Sequence, residues 1–233
     1  EIRVDAKCST KEDLEICGFE PGNHIAIDPL PEIDNKGFIN SRHLDNKAGA
    51  AILLSAARKI LQKKLTLPVD CHLLFTIHEE VGIGATEILY NDITEMVVID
   101  SAMSAEKQCT DEYSTTLVMM DQSGPFDYHL NKKISALCLE NNIRLKKDLF
   151  KFYRSDAASA IEAGSDTRTA LVGFGVDGSH GYERTHMDAL KHTEKLILKY
   201  IQSEPTFRRD KNEIGSISGF PHQPVRDTIN IET

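Results

Sequence analysis

A basic surplus is missing from this sequence. Its 27 lysines and arginines stand against 36 aspartates and glutamates, a formal net charge of −9. Such a chain has no excess cation with which to neutralise phosphates, which argues against a general nucleic-acid binder. Paired cysteines are missing too. Cys8, Cys17, Cys71, Cys109 and Cys138 are odd in number, with no CxxC pair and no zinc-knuckle spacing. Free thiols in a reducing, cytoplasmic location are therefore expected. No apolar run approaches the roughly 20 residues that cross a bilayer, and no secretory leader pattern opens the chain, so no membrane partner is expected. Internal repeats and low-complexity tracts are also absent.

What is present is an ordinary globular composition, 40% apolar and 27% charged, in a chain of 233 residues. That length suits one large domain, or a domain with a small appendage. Residues 1–41 contain Pro-Gly and Asn-Lys-Gly turn signals around β-rich pieces, and read as short strands and turns. The texture then changes to alternating elements. "NKAGAAILLSAARKILQKK" has apolar residues at helical spacing, and "LPVDCHLLFTI" reads as a buried strand. "GATEILYND" predicts a short helix, and "EMVVID" and "TLVMMD" predict strands. Helices in "YHLNKKISALCLENN" and "SDAASAIEAG", a strand in "TALVGFGV" and a closing amphipathic helix in "DALKHTEKLILKYIQ" complete the series. The fold expected is α/β, with a mixed, mostly parallel central sheet flanked by helices. After Ser203 the chain is polar and rich in Gly, Pro and Ser, and is expected to pack loosely.

Carboxylates stand where these elements end. Asp45 falls between a strand-like piece and a helix, Glu79 and Glu80 close one apolar run, and Asp100 closes another. In open α/β sheets ligands bind beyond the carboxyl ends of strands. Carboxylates gathered there repel one another unless a cation compensates. Oxygen ligands alone suit Mg²⁺ or Ca²⁺; a histidine shifts the preference to Zn²⁺, Co²⁺ or Mn²⁺, and His180 and His186 are available in "GSHGYERTH". Successive side chains diverge in extended backbone, so one glutamate can bind metal while the other removes a proton from metal-held water. Plainer readings stand beside these. Asp45 could cap a helix, Asp100 could open a turn, and the histidines could lie on the surface. Gly82 and Gly84 read as turn residues, and His72 and His78 as packing or surface residues.

"LDNKAGAAILL", "FTIHEEVGIGA", "VVIDSAMSA", "RSDAASAIEAG" and "SHGYERTHMDAL", in this order over residues 42–195, resemble the tetrahedral-type (TET) dinuclear metallo-aminopeptidases. These form metallopeptidase family forty-two, which includes glutamyl aminopeptidases and proteins once called endoglucanases. The run "KEDLEICGFEPGNHIAIDP" resembles the end of that family's small oligomerisation domain. The resemblance implies a remnant of that domain over residues 1–41, a catalytic domain over 42–203 and a tail over 204–233. It implies two divalent metal ions, zinc or cobalt with manganese an option, bridged by Asp45. Glu80 and Asp100 would be ligands on separate ions, and His180, with His186 as the alternative, the late histidine ligand. Glu79 would be the general base acting on a metal-bound hydroxide, and Asp156 would support the site or face the substrate. The activity implied is removal of N-terminal residues from short peptides by a large homo-oligomer, a dodecamer in the family.

One family feature has no counterpart. An early His-x-Asp should lie before the oligomerisation domain; His43, in "HLD", has the right letters but is better suited to a supporting role. The first residue is Glu1 rather than Met, so a missing N-terminal part is expected, with at most one metal well held by the 233 residues and weak or no peptidase activity. Two alternatives remain: a non-catalytic binding or assembly protein, and a related metal-dependent amide hydrolase such as a deacetylase or dipeptidase.

Overall fold

The structure is a computed structural model that describes residues 3–90 and 92–208; the rest of the expected tail lies outside the described residues. Among the described residues, five α-helices and eight strands follow one another as α1 Lys11–Ile16, β1 Glu32–Ile33, β2 Phe38–Arg42, α2 Leu44–Lys63, β3 Glu95–Met103, β4 Thr115–Asp121, β5 Gly124–Pro125, α3 Tyr128–Glu140, β6 Leu145–Leu149, α4 Asp156–Glu162, β7 Arg168–Asp177, β8 Tyr182–His186 and α5 Met187–Ile201. No helix among the described residues is long and apolar enough to cross a membrane.

The chain folds around β7. Along one edge β7 pairs in parallel with β3, from Glu95↔Arg168 to Met103↔Val176. Its other edge is shared between β4, antiparallel at residues 171–174, and β8, antiparallel at Val176 and Asp177. β8 then passes to β2 and β2 to β1, while β6 and β5 join β4. Alternation along β7 divides its side chains between two layers. Ala170, Val172, Phe174 and Val176 meet Ile52 and Ala56 of α2, Leu130 and Ile134 of α3, and Leu196 and Ile197 of α5 in one cluster. Leu171 joins Val98, Ala102, Val118 and Ala157 of α4 in the other. The helices therefore cover both faces, as expected for an α/β fold.

Helix starts follow local chemistry. Asp127 accepts the Leu130 N–H at 2.7 Å to cap α3, and Ser155 caps α4 through the Ala157 N–H. In α2 the buried Leu44, Ala48, Ile52 and Ala56 recur at the spacing of one helical face.

The sheet departs from the expected parallel majority: parallel pairing is confined to β3 with β7 and β4 with β6, and the other pairs are antiparallel. Two of the antiparallel pairs come from β8, whose sequence "YERTH" is too polar to read as a strand, yet pairs with both β2 and β7; a third is β4 running against β7. The apolar run Leu67–Ile77 forms no strand, and Phe75 and Ile77 are exposed. Strand propensity needs a pairing partner, and among the described residues β3 makes its ladder with β7 instead. The helix expected in "GATEILYND" is a series of turns and bends over its described residues, and α1 lies where strands and turns were expected.

At Gly175 of β7 a Cβ would overlap the backbone carbonyl of Asp111. Gly175→Ala should therefore destabilise the fold by about 2–4 kcal/mol, read from the midpoint of a urea titration at unchanged slope.

Candidate metal centre

Most candidate residues lie at element ends or in connections, but Asp100 does not close a strand as expected: β3 continues past it to Met103, held by its ladder with β7. β2 ends at Arg42, and His43 turns the chain in the left-handed region, φ 64°, before α2. Asp45 is not a helix cap: that position is His43, and Asp45 itself has φ −79° and ψ 106°, outside the helical range. The Asp45–Asn46 peptide bond is cis. Glu79 and Glu80 occupy a single 3₁₀ turn, Glu79–Val81, closed by Gly82 at φ 78°. His180, also left-handed at φ 57°, sits in the connection from β7 to β8.

Three of these side chains meet. One donor atom each from Asp45, Glu80 and His180 falls in a group no wider than 4.8 Å. His180 Nε2 lies 3.1 Å from Glu80 Oε2 and 3.6 Å from Asp45 Oδ2. The Ser179 hydroxyl donates to Asp45 Oδ2 at 3.4 Å. One imidazole nitrogen with two carboxylate oxygens matches the donor chemistry of a zinc-type ion, so the residues present fit a metal.

Asp100 stands outside that trio but within its field. It is 3% exposed on β3, and its carboxyl is pushed well above the ordinary range by burial and then by the charge of Asp45. Hydrogen bonding from Tyr153 and from the Ser101 N–H, at 2.7 Å, opposes that shift. Burial raises Glu80 as well, and raises Glu79 to about 7, with the charges of Asp156, Glu80 and Asp45 adding to it. Desolvation and like charge both favour the protonated form.

Asp156, in the first turn of α4, accepts the Thr76 hydroxyl at 2.6 Å and so ties the glutamate-bearing loop to the helix. Gly84 lies in a turn, as expected, and also admits that contact, since a Cβ there would overlap Asp156 Oδ1.

His186 does not join the group. Its Nε2 faces the Lys36 carbonyl at 2.9 Å, its Nδ1 accepts the Asp188 N–H at 3.1 Å, and its ring packs against Phe38 and Tyr113. Both ring nitrogens are engaged in capping α5 and closing the turn at Lys36. His43 also stands apart, its Nε2 3.3 Å from the Ile27 carbonyl. His72 packs against Tyr90, and His78 precedes the 3₁₀ turn.

Two residues at the site escape a reading of spacing alone: Tyr153, whose hydroxyl donates to the Ser101 carbonyl at 3.1 Å, next to Asp100, and Glu183, which accepts the backbone N–H groups of Asp45 and His180. The signal for Glu183 was its place three residues after His180 in "HGYE".

Several known proteins resemble this chain in sequence or fold. "Putative aminopeptidase YhfE" of Bacillus subtilis (strain 168) is 39% identical over 203 residues, covering 87% of this chain and 59% of its own. Aminopeptidase APDkam598 from the archaeon Desulfurococcus kamchatkensis shares the fold with a TM-score of 0.70 at 16% identity, over 84% of this chain and 57% of that one. The TET1 peptidase of Pyrococcus horikoshii, which can assemble into a tetrahedron or a large octahedral shell, aligns with a TM-score of 0.61 at 20% identity, over 74% of this chain and 53% of that one. The chain thus spans less than two thirds of the length of each of these relatives. Residues 1–196 match the M42 glutamyl aminopeptidase family, and the chain belongs to that family.

Proposed function

We propose that this chain carries the catalytic part of a metal-dependent aminopeptidase that removes amino-terminal residues from short peptides. The observation that carries the reading is the meeting of Asp45, Glu80 and His180, from three distant parts of the chain, with donor atoms within 4.8 Å. In this reading the three hold one zinc or cobalt ion, with manganese a third option, and Asp45 with Asp100 holds a second. Such ions, when bound, supply Lewis acidity that polarises a carbonyl and acidifies water.

Proton movement falls to Glu79. Its carboxyl, about 7 without metal, is poised near neutrality, where one group can both accept and return a proton. At a carboxylate oxygen it takes the proton of the attacking water and returns it to the departing amine nitrogen. Asp156, bonded to Thr76, keeps the loop that bears Glu79 and Glu80 in place. For the whole protein we propose a homo-oligomer, by likeness to the TET1 peptidase of Pyrococcus horikoshii, which can assemble into a tetrahedron or a large octahedral shell.

In the complete protein, Glu79→Gln should retain bound metal while turnover falls by about 10²–10⁴. Near-normal turnover in that variant would remove Glu79 from the role of base. His180→Ala should abolish stoichiometric Co²⁺ uptake measured after dialysis, whereas His186→Ala should keep it and lose only stability; the reverse pattern would assign the late ligand to His186.

The raised Glu79 carboxyl also sets a pH dependence for the metal-free protein. A group whose folded value is about 7 against an ordinary 4.5 binds more protons folded than unfolded between those values. Stability from this group is therefore greatest below 4.5 and falls as pH rises through 7. Metal-free Glu79→Gln should gain on the parent protein by about 1 kcal/mol between roughly pH 5 and pH 8, a figure discounted for a half-exposed carboxyl. Thermal melts at both pH values measure it, and a difference that does not change with pH would contradict it.

A further inference from the structure

Glu183 is 1% exposed, and its two oxygens have separate duties. Oε2 accepts the backbone N–H of Asp45 at 3.0 Å, and Oε1 accepts that of His180 at 3.0 Å. Neither amide has a helix or ladder to hold it. Asp45 has non-helical dihedral angles at the head of α2, and His180 lies in the left-handed region between β7 and β8. Glu183, by contrast, stands on a strand paired on both sides. Ser41 of β2 is its register partner, and Thr185 two residues on pairs with Val176 of β7. The strands that lead into Asp45 and His180 are those same two, so one carboxyl on β8 spans the gap between the chain segments they deliver. Bonds from N–H to a carboxylate are roughly twice as strong as neutral ones.

We infer that Glu183 is a positioning residue for the metal: by holding the backbones of Asp45 and His180 it presets the separation of their donor atoms. This rests on the metal-site reading above. A metal site whose ligands are already placed does not have to order two loops when the ion binds, so the clamp should appear in affinity and coordination geometry.

The test is titration of the metal-free 233-residue chain with Co²⁺, followed by the visible absorption of the bound ion. Glu183→Gln keeps the shape but turns an amide donor toward one of the two N–H groups. It should weaken Co²⁺ binding by about 10–100-fold and alter the absorption bands. Asp148→Asn is the control. Asp148 is a buried carboxylate away from the site that accepts the Cys109 and Thr110 N–H groups and the Thr110 hydroxyl. It should lower the melting temperature and leave Co²⁺ affinity unchanged. If Glu183→Gln does not fold, Glu183→Asp, too short to reach both amides, is held to the same expectation. A parent chain that binds Co²⁺ while the Glu183 variant binds it equally, with the same spectrum, overturns the positioning role alone. So does an equal loss of affinity in Asp148→Asn. A parent chain that binds no Co²⁺ overturns the metal-site reading and this inference with it.

Discussion

Like charges drawn into one site must be offset by protons or by a cation, and this constraint governs the candidate centre. Asp45, Glu79, Glu80, Asp100 and Asp156 come from four separate segments of the chain, and burial leads the causes that lift Glu79, Glu80 and Asp100 above their ordinary range. Gathering them costs folding free energy, which the two apolar layers around β7 must outweigh. A cation would convert that cost into a gain, because a ligand that binds only the folded state stabilises it. His180, whose imidazole lies in reach of Asp45 and Glu80, completes a donor set that carboxylates alone would leave suited to harder ions.

The site is assembled from backbone that regular structure does not dictate. His43 and His180 are left-handed, and the Glu79–Glu80 turn ends in a left-handed glycine. Such conformations persist where surrounding contacts over-determine them. The contacts are visible: Glu183 on two amides, Asp156 on Thr76, and the Asn46 side chain on the Ile99 carbonyl at 2.7 Å. Each ties a site loop to a packed strand or helix. Polar side chains, more than apolar ones, do the final placing.

The fold persists across distant relatives. Solved structures at 16% and 20% identity superpose with TM-scores of 0.70 and 0.61, whereas the relative at 39% identity aligns over 87% of this chain. A fold alone does not specify a reaction. The donor set on these elements, rather than the sheet that carries it, is what directs the functional reading toward peptide hydrolysis.

Periodic elements were legible in the chain itself. Apolar spacing marked α2, α3 and α5, and continuous apolar runs marked β3, β4 and β7, because those patterns report which face of a local element is buried. The candidate carboxylates themselves were legible because their places along the chain are local facts, but Asp100 falls inside β3 and the run before Glu79 forms no strand. Partnership was not. Leu67–Ile77 has a strand's composition without a strand's pairing, and "YERTH" has a strand's pairing without its composition. Nor could spacing choose between His180 and His186 as neighbours of Asp45 and Glu80, since both follow β7 within one short segment. Local propensity and residue order belonged to the sequence. Which strands pair, which histidine meets the carboxylates and which glutamate grips their backbones were decided by tertiary structure, because contacts between residues distant in the chain depend on packing that no local pattern encodes.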